Sequence, residues 1–400
     1  MVLAVLLELA LFAVGADACA SSMDCELNGA CSAGKCVCDR GWKGSTCGQL
    51  DIGPRKLAYG NGVTPNTSCW GGGPPVLDPQ TGKYHLLVTE IAGGCGMATW
   101  ARMSQTTLAV SDQAVGPFTK VSVAIPTFSH NTFYAFSPPD KKHLVYHIGY
   151  GADPPSCNPR LSCRDGSTPG GSGIKPPAGT PWAPDTCGHS RAAFVHAADS
   201  LAGPWIPAGP IKFSGPMPSR ADGTAGSSNP SPLFFDNGTV LMMGRGKDAG
   251  KGPNNETTTG HNIWLYRAPA WNASYEWVRS NGKDGSVMTY PGDGPELTED
   301  PVLWKGRNGY HVLYHTERGG NGSLTHGWSK DAITWQWNPQ VMGPAVDREG
   351  LMGDFQRPRV MITPEGDVET IFVSQETGKG EKGDGADAST LVAFETLIPK

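Results

Sequence analysis

The sequence carries no excess of positive charge, no second long apolar run and no sustained helical period. Lys and Arg number 32 against 37 Asp and Glu, a formal net charge of −5. A nucleic-acid partner wants a basic face, so none is expected. Charge of this size says nothing about sugars, which are neutral or acidic. Past the first residues, no stretch repeats apolar side chains every 3.6 positions, which argues against long helices. No internal run approaches the ~18 apolar residues of a membrane span, so none is expected once the N-terminal segment is removed. Neither an H-E-x-x-H nor a C-x-x-C spacing occurs, so neither metal nor cofactor is expected; a metal site from His130, His147 and His315 lacks such support. What is abundant is Gly (54) and Pro (34) among 400 residues. That composition favours turns and short strands, in a chain long enough for one large core or two domains.

Residues 1–18 are an apolar run that ends in Ala16-Asp17-Ala18, an A-x-A-like cleavage site. They read as a signal peptide, and the protein as secreted. No Lys or Arg precedes the run and Glu8 interrupts it, so a buried N-terminal helix is the alternative. Asn-x-Ser/Thr sequons begin at Asn66, Asn237, Asn255, Asn272 and Asn321 and agree with a secretory route and a glycoprotein.

Cys19, Cys25, Cys31, Cys36, Cys38 and Cys47 crowd into residues 19–48. So short a segment cannot bury a useful core, and covalent links must hold it. Spacing alone leaves 15 pairings open. The stretch 25–47 (CELNGACSAGKCVCDRGWKGSTC) resembles an EGF module, including its Gly-Trp-x-Gly turn. The resemblance implies Cys19–Cys31, Cys25–Cys36 and Cys38–Cys47. No acidic cluster precedes the first cysteine, so calcium is not expected. Of the remaining cysteines, Cys69 and Cys95 flank one predicted hairpin and are expected to pair; Cys157, Cys163 and Cys187 share a loop, and one of the five is free or pairs elsewhere.

One pattern recurs along the body: apolar strand, turn with Gly or Asp, apolar strand. Its copies are residues 75–90, 132–149, 230–245, 301–317 and 358–375. Alternating polarity marks the arms, and Gln-Thr-Gly, Asp-Asn-Gly, Arg-Asn-Gly and Pro-Glu-Gly mark the turns. Each copy precedes a second strand pair, at 106–118, 191–205, 262–277, 325–337 and 389–398. Four strands make one propeller blade, so the expected fold is all-β, a five-bladed β-propeller over residues 66–400. Residues 49–65 would link the cysteine module to it, with Leu57, Ala58 and Tyr59 supplying a strand that closes the ring. A Pro/Gly/Ser-rich insertion with three cysteines spans 150–187.

Residues just before each first strand would converge on the central channel. There, residues 229–238 (NPSPLFFDNG), 298–314 (TEDPVLWKGRNGYHVLY) and 329–335 (SKDAITW) resemble segments of family-43 glycoside hydrolases. The resemblance implies a five-bladed propeller that hydrolyses glycosidic bonds with inversion, using an Asp base, a second Asp that tunes pKa and a Glu acid. Glu299 falls at the acid. The two Asp residues have no match: Gly73-Pro74-Pro75, His130-Asn131-Thr132 and Asn229 stand at the corresponding places. Asp354 or His130 could replace the base, or the propeller binds sugar without cutting it. Asp300 adjoins Glu299, and strand alternation predicts that only one of them faces the channel. Trp70 could stack on a sugar face. Arg357 and Arg359 could clamp a carboxylate or sulfate, with Arg245, Asn131, Asn229, Asp300 and His315 as further substrate-binding candidates. The expected partner is a glycan or polysaccharide, an acidic one fitting the arginines.

Overall fold

A computed structural model describes residues 18–60, 68–92, 100–126, 128–149, 193–214, 228–247, 261–282, 286–287, 297–318, 321–342, 345–346, 352–353, 355–376 and 389–398. Residues 1–17, where a signal peptide is expected, Cys95, the 150–187 insertion with its cysteines, and Asp354 lie outside them.

The chain is all-β, a five-bladed propeller preceded by a disulfide-rich module. Inner to outer, the first blade runs Cys69–Gly72, Tyr84–Ile91, Ser104–Ser111 and Thr119–Ile125. The second runs His130–Ser137, Lys142–Ile148, Ala193–Ala198 and Ile206–Pro210. The third is Ser228–Phe234, Val240–Lys247, His261–Ala268 and Tyr275–Val278, and the fourth Leu297–Lys305, Tyr310–Arg318, Asn321–Ser329 and Gln336–Met342. The fifth takes Phe355–Ile362, Val368–Glu376 and Ser389–Glu395 from the end of the chain. Its outer strand, Lys56–Tyr59, comes from before the first blade, with Leu57 opposite Val392 and Tyr59 opposite Leu391. The strand expected at 57–59 therefore seals the ring.

Local chemistry explains the repeat. Second strands such as Tyr84–Ile91 are buried almost throughout, because each is covered by a neighbouring blade on both faces. The hairpin turns hold glycine where φ is positive, as at Gly238 and Gly366. Phe118 and Trp205, which follow the Gly-Pro pairs of the first two blades, are buried.

The module carries the three disulfides Cys19–Cys31, Cys25–Cys36 and Cys38–Cys47. It is packed onto the propeller. Trp42 lies 4.6 Å from the His326 ring, and Asn338 Nδ2 of the fourth blade donates to the Glu26 carboxylate and to the Gly48 carbonyl. The segment after it is docked too: Gly53 N donates to Glu395 O at 2.8 Å and Leu397 N to Asp51 O at 2.9 Å. Cys95, the partner expected for Cys69, lies outside the described residues. Cys69 is a buried free thiol on an inner strand, 3.8 Å from the Tyr59 carbonyl, and burial pushes its pKa up.

Two buried imidazole pairs sit between strands: His147 Nε2 meets His196 Nδ1 at 2.9 Å, and His311 Nδ1 meets His326 Nε2 at 3.1 Å. Burial, then the neighbouring imidazole, holds His147 at about 3, and burial holds His196 at about 4. Unfolded histidines titrate near ~6.5. A base whose folded pKa is depressed stabilises the fold above that unfolded value and withdraws the contribution as pH falls below it. Denaturant unfolding should therefore show a loss of about 2 kcal/mol, between pH 7 and 5, for each imidazole that stays neutral. A flat profile across that window would mean that the imidazoles are hydrated in the folded state.

Candidate functional site

Four inner strands enter the channel with the same irregularity. Between His130 and Phe133, Ser228 and Ser231, Glu299 and Val302, and Gln356 and Arg359, the inner strand uses one more residue than its partner. The residue after the first of each pair is left-handed: Asn131 (φ 56°), Asn229 (54°), Asp300 (55°) and Arg357 (51°). The first blade has a similar bulge between Cys69 and Gly72, with Gly71 at φ 90°. Asn and Asp accept this backbone readily; Arg does so at a cost of order 1–3 kcal/mol, which marks Arg357 as held by its surroundings. An extra residue breaks strict side-chain alternation. Glu299 and Asp300 therefore both reach the axis, against the expectation that only one would.

Asp300 is fully buried. Its Oδ1 accepts from Asn131 Nδ2 of the second blade at 2.9 Å and from Asn229 Nδ2 of the third. Arg357 Nε of the fifth blade lies 3.5 Å from the same oxygen, and Oδ2 has no hydrogen-bond partner among the described residues. Burial, ahead of the opposing pull of Arg357, raises the Asp300 pKa. Glu299 behaves oppositely. Its Oε2 is paired with Arg245 Nη1, and Oε1 lies 3.8 Å from His315 Nδ1. Burial alone would raise its pKa, but Arg245, His315 and Arg357 together hold it below the usual carboxylate range. The proton donor expected at Glu299 is thus an ionised, cation-paired group.

His130 is buried and neutral, its pKa lowered first by burial and then by Arg357. Arg357 Nη2 donates to Nε2 at 2.9 Å, so the proton sits on Nδ1, which donates to Ser104 Oγ at 2.7 Å. Ser104 Oγ in turn donates to the Trp100 carbonyl at 2.7 Å. Both ring nitrogens are committed, and His130 orients Arg357 instead of exchanging protons as the expected base. Trp70, a candidate sugar platform, packs with Ile91, Trp100 and Met103, and the Arg357 guanidinium stands 5.1 Å from its ring centre. That arginine covers one face of the indole. Arg359 lies over the Phe133 ring at 4.6 Å and donates to Asn131 Oδ1 and to the Pro358 and Thr132 carbonyls, a structural role in place of a clamp.

Ser104 and Trp100 were not singled out by sequence reasoning. They belong to the first blade yet support a second-blade side chain, and no local pattern signals that. The emptiness at Gly71 has a similar cause: a Cβ there would lie 2.7 Å from Arg357 Cδ.

Glu299, Asp300 and His315 bring one ligand atom each within 4.8 Å of one another, a spacing that suits a metal ion. The guanidinium groups of Arg245 and Arg357 already supply positive charge to both carboxyls. This arrangement fits a cation poorly.

No family model matches the sequence, and no curated protein matches it. Among solved structures, the fold is similar to a family 117 glycoside hydrolase produced by the marine bacterium Zobellia galactanivorans, with a TM-score of 0.54 and 14% identity over 86% of this chain and 89% of that one. It is similar to a thermostable family-43 glycoside hydrolase at a TM-score of 0.54 and 12% identity, over 86% and 93% of the two chains. A β-xylosidase matches at 0.50 and 12%, over 85% and 94%. The propeller therefore has the fold of these glycoside hydrolases.

Gly71→Ala tests the packing of the site. The added methyl meets the Arg357 stem in a backbone region that L residues avoid, so stability should fall by about 1–3 kcal/mol. Chemical denaturation measures it; an unchanged midpoint would mean that Arg357 is free to move aside.

Proposed function

We propose that this chain is a secreted glycan-binding protein, in which an EGF-like module is fused to a propeller that holds sugar in its channel without cutting it. The observation that carries the second half is the placement of the two channel carboxyls. Glycosidases flank the scissile bond with an acid and a base or nucleophile, about 6.5–9.5 Å apart for inversion and about 5–5.5 Å for retention. Glu299 and Asp300 are chain neighbours with ligand oxygens within 4.8 Å, and Glu299 is committed to Arg245. Their oxygens lie closer together than either spacing. Gly73-Pro74-Pro75, His130-Asn131-Thr132 and Asn229 offer no carboxylate at the corresponding places of the first three blades.

Sugar is the ligand class favoured by the fold of the similar hydrolases, and by a channel of amides, guanidinium groups and carboxyls that match hydroxyl groups. The EGF-like reading is supported by the cysteine spacing and by the three disulfides that the resemblance implied. Disulfides persist in oxidising compartments, which agrees with the apolar N-terminal run. Expressed in a eukaryotic secretory host, the full chain should appear in the medium, beginning after Ala18. It should carry N-linked sugar at Asn237 and Asn272, whose side chains are exposed; peptide mass spectrometry reads both. Retention of residues 1–18 in a cell-associated product would remove the secretory reading.

One observation favours hydrolysis: burial raises the pKa of Asp300, the direction that a general acid needs, and Asp354 is its candidate partner. The discriminating experiment incubates the purified chain with a panel of polysaccharides and measures both retention and release of reducing ends. Retention without release is expected. Release by the wild type that vanishes in Asp300→Asn and Asp354→Asn would establish a hydrolase and overturn the binding reading.

A further inference from the structure

We infer that the channel is built to receive the anionic group of an acidic sugar, a carboxylate or a sulfate ester, against Arg357. This rests on the glycan reading above and names the ligand class of the same site. Among the described residues, three arginines, Arg245, Arg357 and Arg359, meet two acids, Glu299 and Asp300, around the axis, and His130 contributes no charge. The charges divide unevenly. Arg245 is paired to Glu299, and Arg359 has Asn131 Oδ1 and two carbonyls.

Arg357 is left over. It exposes only 7% of its surface, yet among the described residues Nε and Nη1 have no hydrogen-bond partner, and the bond from Nη2 goes to a neutral imidazole. The nearest carboxylate oxygen, Asp300 Oδ1 at 3.5 Å, already serves two amides and belongs to the acid whose pKa is raised. A buried guanidinium with open donors is costly until an anion meets it. Its position is fixed from three sides: Trp70 beneath, His130 at Nη2, and the empty side-chain space of Gly71 around the stem. The Arg357 stem fills the room that a side chain at Gly71 of the first blade would take. An anionic substituent on the sugar answers this buried cation through charge-assisted hydrogen bonds.

The test is calorimetric, on the full chain. Its probes are a uronic-acid oligosaccharide with its carboxyl-reduced form, and a sulfated oligosaccharide with its desulfated form. One charged form should bind about tenfold or more tightly than its neutral counterpart, and which one does identifies the anion. In Arg357→Gln that preference should vanish. If that variant fails to fold by near-UV circular dichroism, the wild-type comparison decides alone. Equal affinity for charged and neutral forms overturns the anionic inference and leaves glycan binding standing. Binding to none of the four overturns the glycan reading with it.

Discussion

The carboxyl of Asp300 is where the blades meet. Its Oδ1 gathers amides from the second and third blades while Arg357 approaches from the fifth, and the acid itself belongs to the fourth. Such contacts require inner strands that turn side chains toward the axis, and a regular strand turns only alternate ones. The repeated bulge supplies the difference. The left-handed backbone at Asn131, Asn229, Asp300 and Arg357 is thus the local condition for a polar centre in an otherwise apolar ring. It is tolerated because the surrounding blades over-determine it.

From that geometry the electrostatics follow. Two neighbouring buried carboxyls part in opposite directions because the guanidinium beside Glu299 is closer than the one beside Asp300, which is the more deeply buried of the two. Arg245 and His315 surround Glu299, and their attraction exceeds its desolvation cost. Asp300 has Arg357 at a longer distance, and desolvation prevails. The rank of proton affinity is the reverse of the one that motif position alone implies. The acid and base roles of a glycosidase are written in environment more than in residue type, and here the environment assigns Glu299 to a salt bridge.

The hairpins, the blade count, the ring-closing strand and the disulfide module were legible because their signals are local: turn glycines, alternating polarity and cysteine spacing. The site's membership was legible as well, since residues before each first strand must converge on the axis. Its roles were not. Whether Trp70 faces sugar or an arginine, whether His130 moves protons, and whether Cys69 finds a partner all depend on contacts between blades remote in sequence. Arg357 and His130 are 227 residues apart. Even the pairing of Glu299 and Asp300 escaped, because the bulge that aligns them is a property of the backbone that no residue pattern announces.

The N-terminal segment completes the same logic. Lys56–Tyr59 closes the fifth blade, the blade that carries Arg357, so the position of that guanidinium depends on chain that precedes the propeller. The cysteine module is bound to this closure through the backbone bonds of Asp51 and Gly53 to the last strand's end. Trp42 and Leu50 share an apolar cluster with Val302, Val360 and Phe394 of the fourth and fifth blades. A module too small to fold on apolar burial alone is therefore stapled internally by disulfides and externally by the propeller. In return, it secures the seam on which the central site depends.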